Sequence, residues 1–417
     1  MESNNFLIQN EAGVLALLLV TLAVILYTSS LSTPFWKKFY TIFPALLLCY
    51  FIPALYNWPL GLIDGQNAKI YPIARDYFLP ASLVLLCLSI DMKGILSLGP
   101  KALIMFLAAT VGVILGGPIA LITVKYFFPE LISSAGSDLW KGMSAIAGSW
   151  IGGSANQTAM REIYNVPQDL FGTMLIVDVI VANFWMALLL YGAGKTQKID
   201  KWLKADTSAI EALKLKTGQY RLSIEKNPGT LDIVLMLAVT FGIVGVSHLI
   251  TAAIMPYLKA NGAVLTSWRL SALVSGFFWI VVIATTLGVI ASFTPAKKLE
   301  GIGASKWGSV FIYILVTTIG MQMNLKEVFQ HLGLFAIGII WMMVHALIIF
   351  GVARWIKAPF FFVAIGSQAN IGGAASAPIV ASAFDVALAP VGVLLAVLGY
   401  ALGTYGGIVC AQLMQII

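Results

Sequence analysis

Two glycine-rich stretches, each surrounded by apolar sequence, contain most of the residues that could do chemistry. The first reads AIAGSWIGGSANQTA at 145–159, and the second reads AIGSQANIGGAASAP at 364–378. Each combines a Gly-Ser pair, an Ile-Gly-Gly triplet, and amide and hydroxyl side chains. Consecutive glycines oppose a continuous helix, and inside a membrane the backbone groups released by a break need a protein partner or a wet cavity. Paired breaks of this kind are typical of transporter binding sites.

We therefore predict that the two stretches bind a small solute and its coupling ion. Half-helix N-termini offer N–H donors to an anionic group, and free carbonyl, hydroxyl and amide oxygens could hold a dehydrated cation such as Na+. The predicted solute ligands are Ser149, Gly152, Gly153, Ser154, Asn156, Gln157, Gln368, Asn370, Gly372, Gly373 and Ser376. The predicted Na+ ligands are Asn156, Thr158, Asp178, Ser367, Asn370 and Ser376. The competing interpretation is that the small residues only let helices pack closely.

A few ionisable residues lie in or beside the apolar segments. Asp178 is the only acid near the centre of one, and an acid at that depth indicates a functional group. It could ligate a cation, carry a proton, or pair with a neighbouring helix. We expect His345 to hydrogen-bond a neighbouring helix rather than to relay protons. Arg161 and Glu162 follow the first stretch, where they either guard a cavity mouth or mark the membrane interface.

Composition places the chain in a membrane. Of its 417 residues, 59% are hydrophobic and 10% are charged, whereas a soluble domain carries about 25% charged residues. The net charge of +7 is spread over short loops and one linker, a pattern that sets membrane topology and does not indicate nucleic acid. The three cysteines lie in apolar runs and predict neither a disulfide framework nor a metal site.

The apolar segments divide the chain into two halves. A spanning helix needs about 20 mostly apolar residues. The segments lie at roughly 12–31, 39–56, 78–97, 102–127, 142–160 and 170–192, and at 231–255, 269–292, 307–323, 332–352, 359–383 and 388–414. The N-terminal sequence lacks the basic region of a secretory signal, so we interpret 12–31 as the first transmembrane helix.

We predict a first transmembrane repeat at 1–192, a cytoplasmic linker at 193–230 and a second transmembrane repeat at 231–417. The linker is rich in Lys and Arg, which favours the cytoplasmic side. Its centre, WLKADTSAIEALKLK, predicts an amphipathic helix on the membrane surface.

A duplication explains the matched halves. The Ile-Gly-Gly triplets lie 220 residues apart, and each glycine-rich stretch is the fifth of six apolar segments. The orientation of the halves stays open at this point. Six crossings per half give parallel repeats, while a fifth segment that fails to cross gives inverted ones, and loop charges divide four against five for either topology.

Motifs for other classes are missing from the sequence. It contains no GxxxxGK[ST] loop for ATP, no HExxH, and no Cys-x-x-Cys pair. We therefore expect no enzymatic activity and no organic cofactor, with Na+ or H+ as the coupling ion. A passive channel and a membrane enzyme acting on lipid-linked substrates are the alternatives from other classes.

The residues GSWIGGSAN at 148–156 and GSQANIGGAASAP at 366–378, with the two-half layout, resemble the DUF819 family of membrane proteins over nearly the whole chain. That family is similar, at a distance, to the cation:proton antiporter and bile-acid:sodium symporter clan. The resemblance implies inverted repeats of about five spanning helices plus one discontinuous or re-entrant segment each. It also implies a core domain, a scaffold domain that often dimerises, and elevator motion.

This chain differs from the clan in the charge of the residues beside the helix breaks. The clan's antiporters carry acids beside the crossing, whereas this chain has neutral Gln and Asn there and Asp178 in the next segment. This favours Na+-coupled symport of a small carboxylate-bearing, amino-acid- or peptide-like solute over cation/proton antiport through Asp178. We expect an all-α protein that crosses the cell membrane several times, most simply a bacterial inner membrane. We also expect it to contact lipid and to form a homodimer.

Overall fold

The computed structural model of the protein describes residues 6–43, 45–65, 67–90, 92–130, 138–206, 228–267, 271–322, 334–385 and 388–417. Within these ranges the regular elements are helices, and the β-structure is an isolated bridge between Ile8 and Ile63. The predicted all-α class is therefore confirmed.

The first half contains ten helices within the described ranges. They are α1 Glu11–Ser30, α2 Pro34–Ile42, α3 Ala45–Asn57, α4 Ile70–Ile73, α5 Leu79–Leu88, α6 Met92–Ser97, α7 Pro100–Phe127, α8 Leu139–Ile163, α9 Gln168–Ala193 and α10 Thr196–Leu203. A π-helical turn at Ala74–Phe78 makes α4 and α5 one continuous rod. Local chemistry sets the starts: the Asn10 side chain caps α1 through Gly13 N–H, and Pro100 opens α7.

The second half contains eight helices within the described ranges. They are α11 Thr230–Ala260, α12 Gly262–Ser267, α13 Gly276–Ser292, α14 Ala304–Gly320, α15 Phe335–Ile356, α16 Phe360–Ile371, α17 Gly373–Ser382 and α18 Ala389–Ile416. Short 3₁₀ turns lie at Ser271–Val274 and Pro295–Ile302.

Seven of the described helices are long and apolar enough to cross a membrane, or up to nine if each of two bent helix pairs is counted as one span. The seven are Glu11–Ser30, Ile70–Leu88, Pro100–Phe127, Gln168–Ala193, Thr230–Ala260, Phe335–Ile356 and Val391–Ile416. Large apolar side chains such as Leu249 and Leu347 lie exposed on their outward faces, where contact with lipid is more favourable than contact with water. The chain is a multi-pass membrane protein, as the sequence predicts.

Only part of the predicted linker can be compared with the structure. The short helix α10 lies at its start and ends where Lys204 adopts a left-handed conformation with φ 53°. Residues 204–206, inside the predicted amphipathic helix, are therefore not helical. The remainder of that predicted helix, 207–216, lies outside the described residues.

The helices pack in two groups. One group consists of α7, α8, α9, α15, α16, α17 and α18, and the other of α1, α3, α5, α11, α13 and α14. Within the second group the packing is reciprocal: α3 packs on α14 while α13 packs on α5, and α1 packs on α14 while α11 packs on α5. A two-fold relation between the halves would produce this reciprocity, because each helix–helix contact would then be repeated by the equivalent pair of helices.

Candidate functional site

The first glycine-rich stretch folds back on itself. Gly153 has φ 76° and ψ −170°, which breaks α8 into two arms at the Gly-Gly pair. A straight helix would separate Trp140 from Tyr164 by about 36 Å, yet their ring centroids are 5.4 Å apart. Closer to the break, a Cβ on Gly148 would lie 2.5 Å from the carbonyl oxygen of Asn156. Residues 139–164 therefore form a helical hairpin, hereafter hairpin 1.

The second glycine-rich stretch has the same form. Helices α16 and α17 meet at Gly372 and Gly373, and Gly373 has φ 59°. The ring of Phe384, just after α17, lies 5.8 Å from that of Phe360 and 5.4 Å from that of Phe361 at the start of α16. Residues 360–384 therefore form hairpin 2. Sequence periodicity could not distinguish this form from a crossing helix, because both are apolar helices with a central break.

Helix α9 contacts hairpin 1 at its mouth and near its tip. A Cβ on Gly142, in the incoming arm, would lie 2.8 Å from Leu170 Cγ at the start of α9. Two turns further along α9, Asp178 hydrogen-bonds residues on both sides of the Gly-Gly break. The mouth of hairpin 1 therefore lies at the N-terminal end of α9 and its tip near the middle.

The same helix contacts hairpin 2 in the opposite order. Trp185 Nε1 donates to Ser367 Oγ at 2.8 Å, near the tip. A Cβ on Gly192, at the end of α9, would lie 2.5 Å from the ring of Phe360 at the mouth. The contacts from Leu170 to Gly192 extend along about 33 Å of helix, close to the hydrocarbon thickness of about 30 Å. The hairpins thus enter from opposite ends of α9.

Helix α18 lies across both tips. A Cβ on Gly399 would lie 2.7 Å from the carbonyl oxygen of Ile151 and 3.6 Å from that of Ala369. Ile151 directly precedes the Gly-Gly pair of hairpin 1, and Ala369 lies three residues before Gly372 of hairpin 2. One turn later, a Cβ on Gly403 would lie 2.5 Å from Gly152 Cα. Such close approach of backbones is what small residues permit between membrane helices.

Asp178 joins the two arms of hairpin 1. Its Oδ1 accepts from Trp150 Nε1 at 2.6 Å, and its Oδ2 accepts from Ser149 Oγ at 2.6 Å and Gln157 Nε2 at 2.8 Å. Ser149 and Trp150 precede the break, while Gln157 follows it. The carboxyl group is 5% exposed, so these bonds form away from water, where a charge-assisted bond is strong. Asp178 therefore sets the geometry of hairpin 1.

Asn156 anchors the outgoing arm of hairpin 1 to α18. Its Nδ2 donates to the carbonyl oxygens of Gly152 at 3.1 Å and Tyr400 at 2.9 Å, and its Oδ1 accepts from Thr404 Oγ1 at 2.6 Å. The side chain is fully buried, so these bonds satisfy an amide that would be costly without partners.

Asn370 anchors the incoming arm of hairpin 2 to α7 by the same pattern. Its Nδ2 donates to the carbonyl oxygens of Gly366 at 2.9 Å and Phe106 at 3.1 Å, and its Oδ1 accepts from Thr110 Oγ1 at 2.8 Å. In both anchors the amide bonds a carbonyl four residues earlier in its own arm. The amide also bonds a carbonyl of a neighbouring helix, and it bonds the threonine that lies four residues after that carbonyl.

Ser367 connects hairpin 2 to two further helices. It accepts from Trp185 of α9 and lies 2.8 Å from His345 Nε2 of α15. Since the indole can only donate, the Ser367 hydroxyl is free to donate to the imidazole. His345 is fully buried, and the expectation that it hydrogen-bonds a neighbouring helix is confirmed.

The remaining predicted ligands lie beside the breaks. Gln368 Nε2 donates to Ser376 Oγ at 2.6 Å, across Gly372. The Thr158 hydroxyl bonds the carbonyl of Ser154 at 2.9 Å, within its own arm, while Ser154 itself is partly exposed at the tip. The six predicted Na+ ligands are thus distributed over separate clusters around Asp178, Asn156, Asn370, Ser367 and Ser376 rather than gathered around one point.

Arg161 and Glu162 join the mouth of hairpin 1 to the start of the α4–α5 rod. Glu162 Oε1 accepts from Tyr71 at 2.5 Å and also from Arg161, and its Oε2 lies 3.1 Å from Arg75 Nε. The Arg161 guanidinium stacks over the rings of Tyr71 and Phe171. Arg161 and Glu162 are buried, whereas Arg75 is 34% exposed, and the ion cluster connects hairpin 1 to the α4–α5 rod.

A cleft of about 680 Å³ opens beside the mouth of hairpin 2. One wall of the cleft is the connection from α9 to α10, and the other is formed by the two ends of hairpin 2. The lining residues are Ala193, Gly194, Lys195, Thr196, Gln197, Lys198, Phe361, Ala383, Phe384 and Leu388. Asp200 of α10 accepts from Phe360 N–H at 2.7 Å. Burial raises the pKa of Asp200, and this hydrogen bond partly opposes the rise.

Several residues of the site were not predicted from the sequence. Thr110 and Thr404, which complete the two asparagine anchors, are single hydroxyls in apolar helices and carry no signal of their own. The glycines of α18 do carry a sequence signal. Gly399, Gly403 and Gly407 recur every fourth residue, and this spacing is typical of a helix face that approaches another backbone closely.

Comparisons with known proteins agree with the sequence motifs. The chain is 23% identical over 358 residues to a protein of Bacillus subtilis (strain 168) described as "Uncharacterized membrane protein YjcL", and the match covers 84% of each chain. A family sequence model described as "Protein of unknown function (DUF819)" matches residues 16–417. The chain therefore belongs to the DUF819 family of membrane proteins.

Proposed function

We propose that this protein is a secondary active transporter whose solute site lies between the tips of the two hairpins. One observation carries the proposal: two helical hairpins start from opposite ends of α9, and the carbonyl oxygens of Ile151 and Ala369, at or shortly before their breaks, lie near Gly399. Broken membrane backbone persists only where protein or a wet cavity satisfies it. Two such breaks at one depth supply the carbonyl and N–H groups that bind transported solutes and ions.

The topology that fits this proposal is inverted. If both hairpins are re-entrant and the other five segments of each half cross, each half has an odd number of crossings. The second half then starts on the opposite side of the membrane from the first. The reciprocal packing of α3 on α14 and α13 on α5 supports the same relation. With the linker in the cytoplasm, hairpin 1 opens outside and hairpin 2 opens inside.

The mechanism we propose is Na+-coupled symport of a carboxylate-bearing, amino-acid- or peptide-like solute by elevator motion. The neutral amides and hydroxyls beside both breaks suit Na+, and Lys195 and Lys198 at the cleft suit an anionic solute. The group containing the hairpins would move against the group of α1, α3, α5, α11, α13 and α14. A homodimer through the second group, in a bacterial inner membrane, would hold that group still.

Cation/proton antiport through Asp178 is the second candidate. Its supporting observation is that Asp178 is a buried carboxyl whose bonds reach both arms of hairpin 1. A proton gained there would weaken charge-assisted bonds across the break, which would connect protonation to the shape of the tip.

Reconstituted transport decides between these functions. Purified full-length protein in proteoliposomes is given ²²Na+ outside, alone and with glutamate, aspartate, alanine, citrate or dialanine. We expect at least one solute to accelerate ²²Na+ uptake saturably and to accumulate only with an inward Na+ gradient. Protein-free liposomes are the control.

Two results would overturn symport. Na+ flux that a pH gradient drives and no panel member alters would indicate antiport. Flux that rises linearly with Na+ concentration, with discrete conductance steps in a planar bilayer, would indicate a channel.

A further inference from the structure

The amide of Gln368 has an unusual place among the polar groups of the two hairpins. Its side chain is 2% exposed and lies one turn before the Gly372–Gly373 break. Nε2 donates to Ser376 Oγ at 2.6 Å, whereas Oε1 is buried and has no hydrogen-bond partner among the residues that the structure describes. In contrast, the carboxamide oxygens of Asn156 and Asn370 each accept from a threonine. A buried amide oxygen without a donor is rare in proteins and indicates a missing partner.

The surroundings of this oxygen form a cradle at the break. A Cβ on Gly372 would lie 1.7 Å from Ser376 Oγ and 2.2 Å from Gln368 Nε2, so only glycine leaves room for the pair. The carbonyl oxygen of Ala369, the next residue in the chain after Gln368, lies 3.6 Å from a Cβ position on Gly399 of α18. The break of hairpin 2 therefore offers an amide oxygen and a hydroxyl oxygen to a ligand.

The chemistry of these donors selects the ligand. Oxygen ligands suit a hard cation, and a divalent cation would require carboxylates to offset its charge and dehydration. The described residues contain no group of three or more His, Cys, Asp or Glu side chains able to hold a metal. The bonds of Asp178 within the described residues are directed to hairpin 1. A monovalent cation fits this neutral set of oxygen ligands best, and Na+ is the coupling ion of the transport function proposed above.

We propose that a monovalent cation, Na+ in preference to K+, binds at the break of hairpin 2 with Gln368 Oε1 and Ser376 Oγ as side-chain ligands. The inference rests on the transporter function proposed above and assigns the coupling ion to this hairpin. Binding there would link α16 to α17 across Gly372, so the cation would hold the two arms of hairpin 2 together. Hairpin 1 has an internal equivalent in Asp178, which already joins its arms.

The test is the thermal unfolding midpoint of the detergent-purified full-length chain, titrated with NaCl, KCl or choline chloride at constant ionic strength. A ligand that binds the folded state raises the midpoint. We expect Na+ to raise it and choline not to, with K+ needing at least tenfold higher concentration. Ser376→Ala should raise the half-maximal Na+ concentration at least tenfold, and Gln368→Met, which keeps the volume and removes the amide, should abolish the shift.

The matched control is Ser382→Ala. Ser382 lies on the same arm, but its hydroxyl bonds the carbonyl of Pro378 and lies away from the break. It should leave the Na+ response unchanged. If Gln368→Met fails to fold, Gln368→Glu retains an oxygen at the site and should bind Na+ at least as tightly as the wild type.

Two results would contradict the inference. One is a wild-type midpoint that does not distinguish Na+ from choline. The other is an unchanged Na+ response in both Gln368→Met and Ser376→Ala. Because no solute is present, the result is separable from transport: Na+ binding here without uptake of any solute would overturn the symport proposal and leave this site intact.

Discussion

Replacing Asp178 by leucine is expected to destabilise the protein strongly and to abolish transport. The substitution removes the acceptor of Ser149, Trp150 and Gln157 at once and leaves three buried donors without partners. Each unsatisfied buried donor costs about 1–3 kcal/mol in folded proteins, although bonds between membrane helices average about 0.6 kcal/mol because the unfolded chain also finds partners. We therefore expect a total loss of about 2–5 kcal/mol. The arms of hairpin 1 should separate before the rest of the chain unfolds.

Asn183→Leu is the matched control on the same helix. Among the described residues, the Asn183 amide donates to the carbonyl of Val179, within α9, so its loss should change the unfolding midpoint little. Asp178→Asn should be intermediate, because it keeps one carboxyl oxygen and turns the other into a donor. The midpoints are measured in detergent, and transport is measured in proteoliposomes. Equal midpoints for Asp178→Leu and Asn183→Leu would show that the Asp178 bonds contribute nothing to hairpin 1.

The second large effect is expected from Gly403→Ala. The new methyl group would lie 2.5 Å from Gly152 Cα and 2.6 Å from Asn156 Nδ2. Neither group can move freely, because one is backbone and the other belongs to a buried amide held by Tyr400 and Thr404. Overpacking of this kind costs about 1–3 kcal/mol, and the Asn156 bonds would be weakened as well. We expect low yield of folded protein and no uptake.

Gly351→Ala provides the control for this substitution. Gly351 lies in α15, and no atom of the described part of the chain lies within 4 Å of its Cβ position, so alanine should be neutral or slightly stabilising there. Folded yield after size exclusion and the unfolding midpoint compare the two variants. Wild-type behaviour of Gly403→Ala would mean that α18 does not lie against the tip of hairpin 1 as closely as described.

The sequence predicted the helices and their breaks better than it predicted the paths of the chain. Apolar length located the segments, and the paired glycines located both breaks, because these are local properties of the residues. The re-entrant form was not predictable. A hairpin and a kinked crossing helix have the same composition, and the difference resides in contacts such as Trp140 with Tyr164. The charged loop residues divide four against five between the two sides of the membrane for either topology, so loop charge could not decide whether the glycine-rich segments cross.

Ligand prediction was limited for a related reason. The amides and hydroxyls around the breaks were identified correctly as unusual in a membrane, but their residue types do not reveal which are already satisfied. Asn156 and Asn370 are occupied by threonines more than 240 residues away in the chain. Gln368, of the same chemical type, keeps an oxygen that no described residue pairs with. Only the three-dimensional pairing separates structural anchors from candidate ligands.

The central claim is that two re-entrant hairpins open on opposite sides of the membrane, and side-specific thiol labelling tests it most directly. Single cysteines replace Lys141 at the mouth of hairpin 1 and Ala383 at the mouth of hairpin 2. The native Cys49, Cys87 and Cys410 are buried and should stay silent. With a membrane-impermeant maleimide, we predict labelling of Lys141→Cys in intact cells only and of Ala383→Cys in inverted vesicles only. Labelling of both positions from the same side would contradict the opposed hairpins and the transport site between their tips.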